Sequence, residues 1–314
     1  MLRRYLLTLL IVAAAVLPLS CRAPAAGPQG TITISGAFAL YPLVVRWAEE
    51  YQKLYPGVRI DVSAGGAGKG MADCLSGAAD LGMVSREISA DEVAKGAQAL
   101  AVAKDAVLLV ANARNPVLPD LMARGLTLET LRGIYLTGEI VSWGQAAGRA
   151  EVSDEIHVYT RSDAAGAPET WARYLGAKQE DLRGIGIFGD PGILEAVLKD
   201  PLGLGYNNLN YAYDVQTGLP VAGAVVLPLD ANDNGRADPD ELLATKAQAL
   251  EMVASGRYPS PPARELYLVT KGQPRGAVAA FLRWALTDGQ KYVDEVGYVR
   301  LPAATIQEML TRLP

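Results

Sequence analysis

Apolar and polar residues follow two alternating periods along this chain from residue 31 onward. TITIS (31–35) and VRIDV (58–62) have the two-residue period typical of β-strands. Between them, Pro42 begins a segment with the 3.6-residue period of an α-helix, which Pro56 and Gly57 end. The predicted apolar stripe of this helix comprises Leu43, Val44, Trp47, Ala48, Tyr51, Leu54 and Tyr55. The pattern predicts a strand, a helix and a second strand.

The same cycle repeats further along the chain. The glycine-rich segment 64–70 precedes a second predicted helix, 79–85 forms a third strand, and Ser89 with Glu92 forms a capping box for the next helix. Residues 106–112 have the composition of a buried strand. Because strand–loop–helix cycles of this kind build open α/β sheets, we expect the loops after the first three strands to face one cleft.

The remaining pattern indicates two α/β lobes, each a mixed open sheet flanked by helices. A helix is predicted at 128–135, a strand at 156–161 and a helix at 168–176; a strand at 265–271 and helices to about Val296 follow. We assign 31–112 and 223–314 to lobe I and 113–222 to lobe II. The segment 206–214 (YNNLNYAYD) either lines the cleft or forms a solvated turn.

The N-terminus has the features of an export signal. Arg3 and Arg4 precede an apolar run, Leu6 to Leu19, that is short for a membrane span. The run ends at a small residue followed by Cys21, as in a bacterial lipoprotein. We predict a signal peptide at 1–20, lipidation of Cys21 and a tether at 21–30. The alternative is ordinary cleavage near Ala25 or Ala26.

Charge and chemistry exclude several function classes. The chain has net charge −5, and removal of the signal would leave 27 basic and 34 acidic side chains, so nucleic acid is not an expected partner. Removal would also leave Cys74 as the one thiol, which we expect to be buried. With a single histidine, His157, and no acid, base and nucleophile constellation, we expect a binding protein rather than an enzyme.

Residues 230–241 (DANDNGRADPDE) fit the calcium-loop template of EF-hands. Gly235 stands at the sharp turn, and every side-chain ligand position of the template is filled. The candidate ligands are Asp230, Asn232, Asn234, the carbonyl of Arg236, Asp238 and Glu241. The preceding segment, 221–229, has a strand pattern, so we predict a lone structural Ca²⁺ loop attached to lobe I. The alternative is a polar turn.

Seven segments resemble, in order, the phosphate-binding proteins of high-affinity phosphate ABC importers. They are SGAFALYPL (35–43), AGGAGKG (64–70), ADLGMVSREI (79–88), KDAVLLVAN (104–112), LTLETLRGIYLTGEIVSW (126–143), YTRSDAAGAPETW (159–171) and FLRWALTDGQKYVDEVGYV (281–299). The resemblance implies the two-lobed type II periplasmic binding-protein fold, which closes on a small oxyanion. It also implies a monomer at the outer face of the cytoplasmic membrane or in the periplasm, and an ABC permease as partner.

The resemblance also implies which residues hold the anion. The first loop would supply main-chain N–H groups, the glycine-rich loop a helix N-terminus, and the second lobe a guanidinium and another helix N-terminus. The residues concerned are Ala37, Phe38, Ala67, Gly68, Ser85, Arg86, Arg161, Ala165, Gly166 and Ala167. Unpaired N–H groups at helix N-termini attract anions, and Arg161 would add a charge-assisted contact.

The chain departs from the family where hydroxyls are usual, because Ala67, Ala165 and Ala167 replace Ser or Thr. Each lost hydrogen bond to a charged group is worth about 1.5–3 kcal/mol. Arg86, Lys69, Tyr41 or water could compensate; otherwise the ligand is another anion, such as tungstate, molybdate or an organic phosphate. Glu87 or Asp163 could accept the proton of hydrogen phosphate. A sensor or scaffold domain that does not hand on its ligand is the alternative to transport.

Overall fold

The structure, a computed structural model, describes residues 27–314, so the predicted signal peptide and Cys21 lie outside it. The strands of this part of the chain are β1 (Gly30–Gly36), β2 (Val58–Ala64), β3 (Leu81–Val84), β4 (Ala97–Asn112), β5 (Leu126–Thr127), β6 (His157–Arg161), β7 (Ile185–Ile187), β8 (Gly203–Asn208), β9 (Ala224–Val226), β10 (Leu229–Asp230) and β11 (Ala263–Lys271). The first six helices are α1 (Tyr41–Leu54), α2 (Ala67–Ser76), α3 (Ala90–Ala94), α4 (Leu118–Arg124), α5 (Leu128–Arg132) and α6 (Trp143–Ala147). They are followed by α7 (Gly166–Tyr174), α8 (Gly189–Lys199), α9 (Leu209–Ala212), α10 (Lys246–Ser255), α11 (Gly276–Ala285), α12 (Lys291–Val296) and α13 (Ala303–Thr311).

One mixed sheet connects the two halves of the molecule, as expected for the predicted α/β class. Its strand order is β2-β1-β3-β11-β4-β8-β6-β7, and β9 also pairs with β4. Strand β1 is parallel to β2 and β3, whereas β11 runs antiparallel to β3 and β4. The 16-residue strand β4 pairs with β11 along its first part and with β8 and β9 along its last part.

Several elements that local sequence patterns predict are present in the structure. Helix α1 begins near Pro42 and buries the first five residues of its predicted stripe, although Leu54 at its end is 58% exposed. Ser89 and Glu92 form the predicted capping box of α3. Cys74 is buried and free, as expected. None of the helices in the described residues has the length and apolar character needed to cross a bilayer.

Two separate hydrophobic cores define the lobes. Aromatic residues of α1 and α11, among them Trp47, Tyr51 and Phe281, fill the core of lobe I. Trp143, Trp171 and Tyr206 fill the core of lobe II. Burial of such large rings away from water stabilises each lobe on its own.

The cores place the lobe boundaries elsewhere than the sequence suggested. Ala106–Ala111 and the buried residues between Val226 and Ala263 belong to the second core, whereas Ala103 and Leu266 belong to the first. The chain therefore crosses between lobes near 104–105 and 264–265, rather than at 112 and 223. The predicted calcium loop accordingly lies on lobe II, where Leu229 pairs with Leu126 of β5.

Both crossing strands carry a buried charge at the boundary. Asp105 of β4 and Arg264 of β11 are register partners, and their side chains are 1% and 7% exposed. Burial raises the pKa of Asp105 to about 6, although the nearby Arg264 and Lys246 oppose the shift and Asp190 adds to it. Because an unfolded aspartate titrates near pH 4, the folded state binds an extra proton between these values.

We therefore expect Asp105 to reduce stability as pH rises through this window. Its favourable contribution is complete below about pH 4 and is lost as pH rises through about 6, a change of roughly 2–3 kcal/mol. Urea unfolding of the natural chain and of Asp105→Asn from pH 4 to 7.5 measures this. The stability of the natural chain relative to the variant should fall over this range, and a constant difference would contradict the assignment.

Candidate oxyanion site

Two helix N-termini face each other across the cleft between the lobes. Helix α2 begins at Ala67, after Gly66 with φ 92°, and α7 begins at Gly166 after Ala165; neither N-cap side chain caps its helix. Among the described residues, the N–H groups of Ala67, Gly166 and Ala167 have no protein acceptor. First-turn N–H groups of this kind carry partial positive charge and attract anions.

The lobes approach closely at these two helix starts. The N–H of Gly68 donates to the carbonyl of Ala164 at 3.0 Å. A Cβ on Gly166 would lie less than 3.0 Å from both Oγ and the main-chain O of Ser85, so this close approach requires glycine. Arg86–Glu169 (3.1 Å) and Arg173–Glu87 (2.6 Å) pair across the flank of the cleft. These contacts define a closed arrangement of the lobes.

Arg161 lies at the cleft, with its side chain 1% exposed. Its Nε and Nη2 donate to Asp163 at 2.7 and 2.6 Å, and its Nη1 donates to Asp190 at 2.6 Å. Burial alone would lower the pKa of Arg161, but the carboxylates of Asp190 and Asp163 outweigh burial and raise it. Since a guanidinium has two N–H groups on each Nη, one on Nη1 and one on Nη2 remain for a ligand.

Residues of the second core fix the position of Arg161 relative to α7. Trp171 of α7 stacks on Tyr206 of β8 with ring centroids 5.6 Å apart. The Tyr206 hydroxyl in turn lies 2.7 Å from Oγ1 of Thr160 and accepts the N–H of Arg161 at 3.3 Å. On the other side of the cleft, the Phe38 ring of lobe I covers the guanidinium, 5.3 Å from its carbon to the ring centroid.

A small cavity lies between these groups, and in this closed arrangement it is too tight to hold a water molecule. Eight of the ten residues predicted to hold the anion line it: Ala37, Phe38, Ala67, Ser85, Arg161, Ala165, Gly166 and Ala167. An ion would have room between these donors only after the lobes had separated.

Three predicted residues have different roles in this arrangement. Arg86 lies outside the cavity, because its guanidinium bonds both oxygens of Glu92 (2.9 and 2.6 Å) as well as Glu169. Gly68 uses its N–H in the bond between lobes. Ala37 lines the cavity, but its N–H donates to Met83 at 2.9 Å. In the first loop, the N–H groups of Phe38 and Ala39 have no protein acceptor within residues 27–314.

Four lining residues were not predicted: Ala39, Gly66, Asp190 and Asn208. Asn208 belongs to the segment 206–214, which the sequence assigned either to the cleft or to a solvated turn. It is 2% exposed, and its main-chain N–H and Nδ2 donate to Asp190 Oδ1 at 2.9 and 2.8 Å. Asp190 lies in the first turn of α8 and has no local sequence signal. The one indication in the sequence was Arg161 itself, because a guanidinium buried in a cleft requires carboxylates nearby to balance its charge.

The two candidate acceptors for a ligand proton lie in different places. Glu87 is 75% exposed and pairs with Arg173, outside the cavity. Asp163 is 7% exposed, and its Oδ2 is 2.9 Å from the position of a Cβ on Gly66. Lys69 bonds Asp73 and Ser35 on another face of α2. Asp163 is therefore the carboxylate of this pair that borders the site.

The segment 230–241 forms a closed loop on lobe II. Asp230 accepts the N–H groups of Asn234 and Gly235, and Glu241 accepts those of Ala231 and Asp238. Asp238 instead faces the side chains of Asn232, Asn234 and Arg236. Within the described residues, no three Asp, Glu, His or Cys side chains converge as metal ligands. A cation here would depend on amide and main-chain oxygens as well.

Several known proteins resemble this chain over most of its length. The phosphate-binding protein PstS of Bacillus subtilis is 27% identical over 86% of this chain and 81% of its own length. PstS of Pseudomonas aeruginosa is 26% identical over 92% of this chain and 88% of its own. Among solved structures, an ABC-type phosphate transport receptor from Vibrio cholerae superposes with TM-score 0.63 at 20% identity, over 86% of this chain and all of its own.

A second structural neighbour is a candidate phosphate ABC transporter substrate-binding protein from Clostridium perfringens, crystallised with bound phosphate. It superposes with TM-score 0.71 at 22% identity, over 87% of this chain and all of its own. At this identity the likeness shows the fold, the two-lobed type II periplasmic binding-protein fold expected from the sequence. The sequence model of the PBP superfamily domain matches residues 22–289. The chain therefore belongs to the PBP superfamily.

Proposed function

We propose that the protein is the substrate-binding component of an ABC importer and holds phosphate between its lobes. One observation carries the proposal: two uncapped helix N-termini and a buried guanidinium from opposite lobes converge on the same small cavity. The names of the sequence relatives support phosphate as the anion. The two remaining N–H groups of Arg161 and the amides of Phe38, Ala67, Gly166 and Ala167 would donate to its oxygens.

The identity of the bound anion has a second candidate. Ala67, Ala165 and Ala167 bring no hydroxyls to the cavity, and Ser85 is the hydroxyl residue among those lining it. Asp163 and Asp190 are both engaged by Arg161, which reduces their capacity to accept a ligand proton. These features favour a fully deprotonated oxyanion such as molybdate or tungstate as the alternative ligand.

A panel of oxyanions separates these candidates. Melting temperature and calorimetric titration should be measured with phosphate, sulfate, molybdate, tungstate and a phosphonate. We expect phosphate to raise the melting temperature most, because the cavity binds ligand in the folded state alone. A larger shift with molybdate or tungstate would replace phosphate as the ligand, and no shift with any oxyanion would refute the receptor function.

Coupling to transport is a separate part of the proposal. An importer component should support uptake of radiolabelled phosphate by cells that carry the cognate permease, whereas a sensor or scaffold would bind phosphate without affecting uptake. We also propose that Cys21 carries a lipid that anchors the exported protein at a membrane surface. Replacing Cys21 by Ala should move the protein from the membrane to the soluble fraction, and unchanged fractionation would argue against the anchor.

We propose in addition that the loop 230–241 binds Ca²⁺ and stabilises lobe II. Besides the complete template, Asp230 and Glu241 are 2% and 9% exposed, and within the described residues neither forms an ion pair with a basic side chain. Buried carboxylates without a cationic partner favour a bound cation. Asp238 would have to exchange its contacts with Arg236 and the two asparagines for the metal.

Calcium should therefore raise the melting temperature by roughly 2–6 °C relative to chelator at about 5 mM, since lone extracellular sites bind at 10⁻⁴–10⁻³ M. Asp230→Asn and Glu241→Gln should each abolish the shift. Asp240→Asn, in the same loop but at an exposed position that supplies no ligand, is the matched control and should retain it. Equal shifts in all four proteins, or none in the natural chain, would rule out this site.

A further inference from the structure

The boundary between the lobes contains a pair of charges that is poorly satisfied in the closed arrangement. Arg264 Nη2 and Asp105 Oδ2 are 3.6 Å apart, beyond a good hydrogen bond. Both oxygens of Asp105 and the Nε and Nη1 atoms of Arg264 are buried without a hydrogen-bond partner in the described part of the chain. Burial of charged groups without their hydrogen bonds is costly.

The pair lies on the two strands that cross between the lobes. On β4 the core of lobe I reaches Ala103 and that of lobe II begins at Ala106; on β11 the core of lobe II reaches Ala263 and that of lobe I begins at Leu266. Asp105 and Arg264 lie between these limits on neighbouring strands. Any rotation of one lobe against the other therefore changes their surroundings.

A polar groove of about 350 Å³ leads from the surface to Arg264. Lobe I contributes Arg86 and Glu87 to its walls and lobe II contributes Glu169 and Arg173, which are the four residues that pair across the flank of the cleft. Separation of the lobes would break these pairs and widen the groove. Water would then reach the Nε and Nη1 atoms of Arg264, which are buried in the closed arrangement, and supply their missing hydrogen bonds.

The pair also touches the anion site. Arg264 Nη2 donates to Oδ1 of Asn208. Asn208 Nδ2 donates to Oδ1 of Asp190, and Arg161 Nη1 donates to Oδ2 of the same carboxylate. The hinge and the guanidinium that would meet the ligand are thus joined by an unbroken series of hydrogen bonds. No other charged pair of the described residues combines this burial with a position on both crossing strands.

We propose that Asp105 and Arg264 form a hinge element that disfavours the closed lobes and thereby promotes release of the bound anion. This inference rests on the proposed function for its ligand. In the open arrangement the pair is hydrated. In the closed arrangement both oxygens of Asp105 and two nitrogens of Arg264 are buried without hydrogen bonds, which raises the free energy of the closed state. The affinity for phosphate is accordingly lower than the cleft contacts alone would give.

The test is a pair of neutral substitutions, Asp105→Asn with Arg264→Gln, which keeps an amide donor for Asn208 and removes both buried charges. The double variant should bind phosphate about tenfold more tightly, with slower dissociation, and its ligand-free form should be more compact in small-angle X-ray scattering. The matched control is Asp120→Asn with Arg149→Gln, which removes an exposed pair and should change neither quantity. Unchanged or weaker binding with unchanged scattering would overturn the proposal.

A measurement on the natural chain covers the case in which the double variant does not fold. Phenylglyoxal should modify Arg264 in the ligand-free protein, and phosphate should protect it several-fold, as detected by mass spectrometry. Equal modification with and without phosphate would overturn the hinge assignment. If the natural chain binds no phosphate at all, the proposed function fails instead, and the ligand-free scattering of the double variant still decides the role of the pair.

Discussion

Gly166→Ala is expected to weaken phosphate binding at least 100-fold while leaving both lobes folded. The added Cβ would lie less than 3.0 Å from Oγ and from the main-chain O of Ser85 in the opposite lobe. Main-chain atoms cannot rotate away as a side chain can, so the lobes cannot close fully. Position 166 has no left-handed backbone and begins a helix, so alanine itself introduces no local strain.

Calorimetric titration and small-angle scattering measure this effect. Phosphate should compact the natural chain and should fail to compact the variant, whose melting temperature in the absence of ligand should stay within a few degrees of the natural value. Gly192→Ala is the matched control, because it lies on α8 and its Cβ would meet only the Cγ2 methyl of Ile187, a side chain of the same lobe, so that any adjustment stays within lobe II. Normal binding by Gly166→Ala would show that closure is not required.

Arg161→Met is expected to produce the largest loss of stability as well as a loss of binding. The substitution leaves Asp163 and Asp190, which are 7% and 0% exposed at the side chain, without their counter-charge. Breaking a buried pair in this way costs about 3–5 kcal/mol, which corresponds to a melting temperature lower by roughly 10 °C. Loss of charge-assisted contacts should weaken phosphate binding at least 100-fold.

A charge-balanced variant separates the two effects. Arg161→Met combined with Asp163→Asn and Asp190→Asn should recover most of the stability but none of the binding. Arg149→Ala, which removes a surface guanidinium 46% exposed, should cost at most about 1 kcal/mol and leave binding unchanged. If the triple variant binds phosphate normally, Arg161 is a structural residue and not a ligand contact.

Periodicity predicted most of the elements because their causes are local. The apolar stripe of α1, the capping box of α3 and the strand patterns of β1 and β2 each lie within a few residues. The lobe boundary had no such signal. Strand β4 runs through both cores as one nearly continuous buried segment, so its composition does not change where the chain passes from one lobe to the other.

In the candidate site too, residues with a local sequence signal were predicted and residues placed by long-range contacts were not. Motifs in the loops located Phe38, Ala67, Ser85, Arg161 and Gly166, since each stands at the start of a helix or the end of a strand. Asp190 and Asn208 follow from three-dimensional pairing with Arg161, which sequence spacing does not encode. The family resemblance implied Arg86 as a ligand contact, but Glu92, six residues on, and Glu169 of the other lobe bind its guanidinium.

A crystal structure of the chain grown with phosphate would show whether the donors of both lobes hold an anion. We expect one tetrahedral anion between the lobes, with its oxygens within about 3.2 Å of Arg161 and of the amides of Phe38, Ala67 and Gly166. A closed structure in which these donors bond to protein atoms, or an anion bound only elsewhere on the surface, would contradict it.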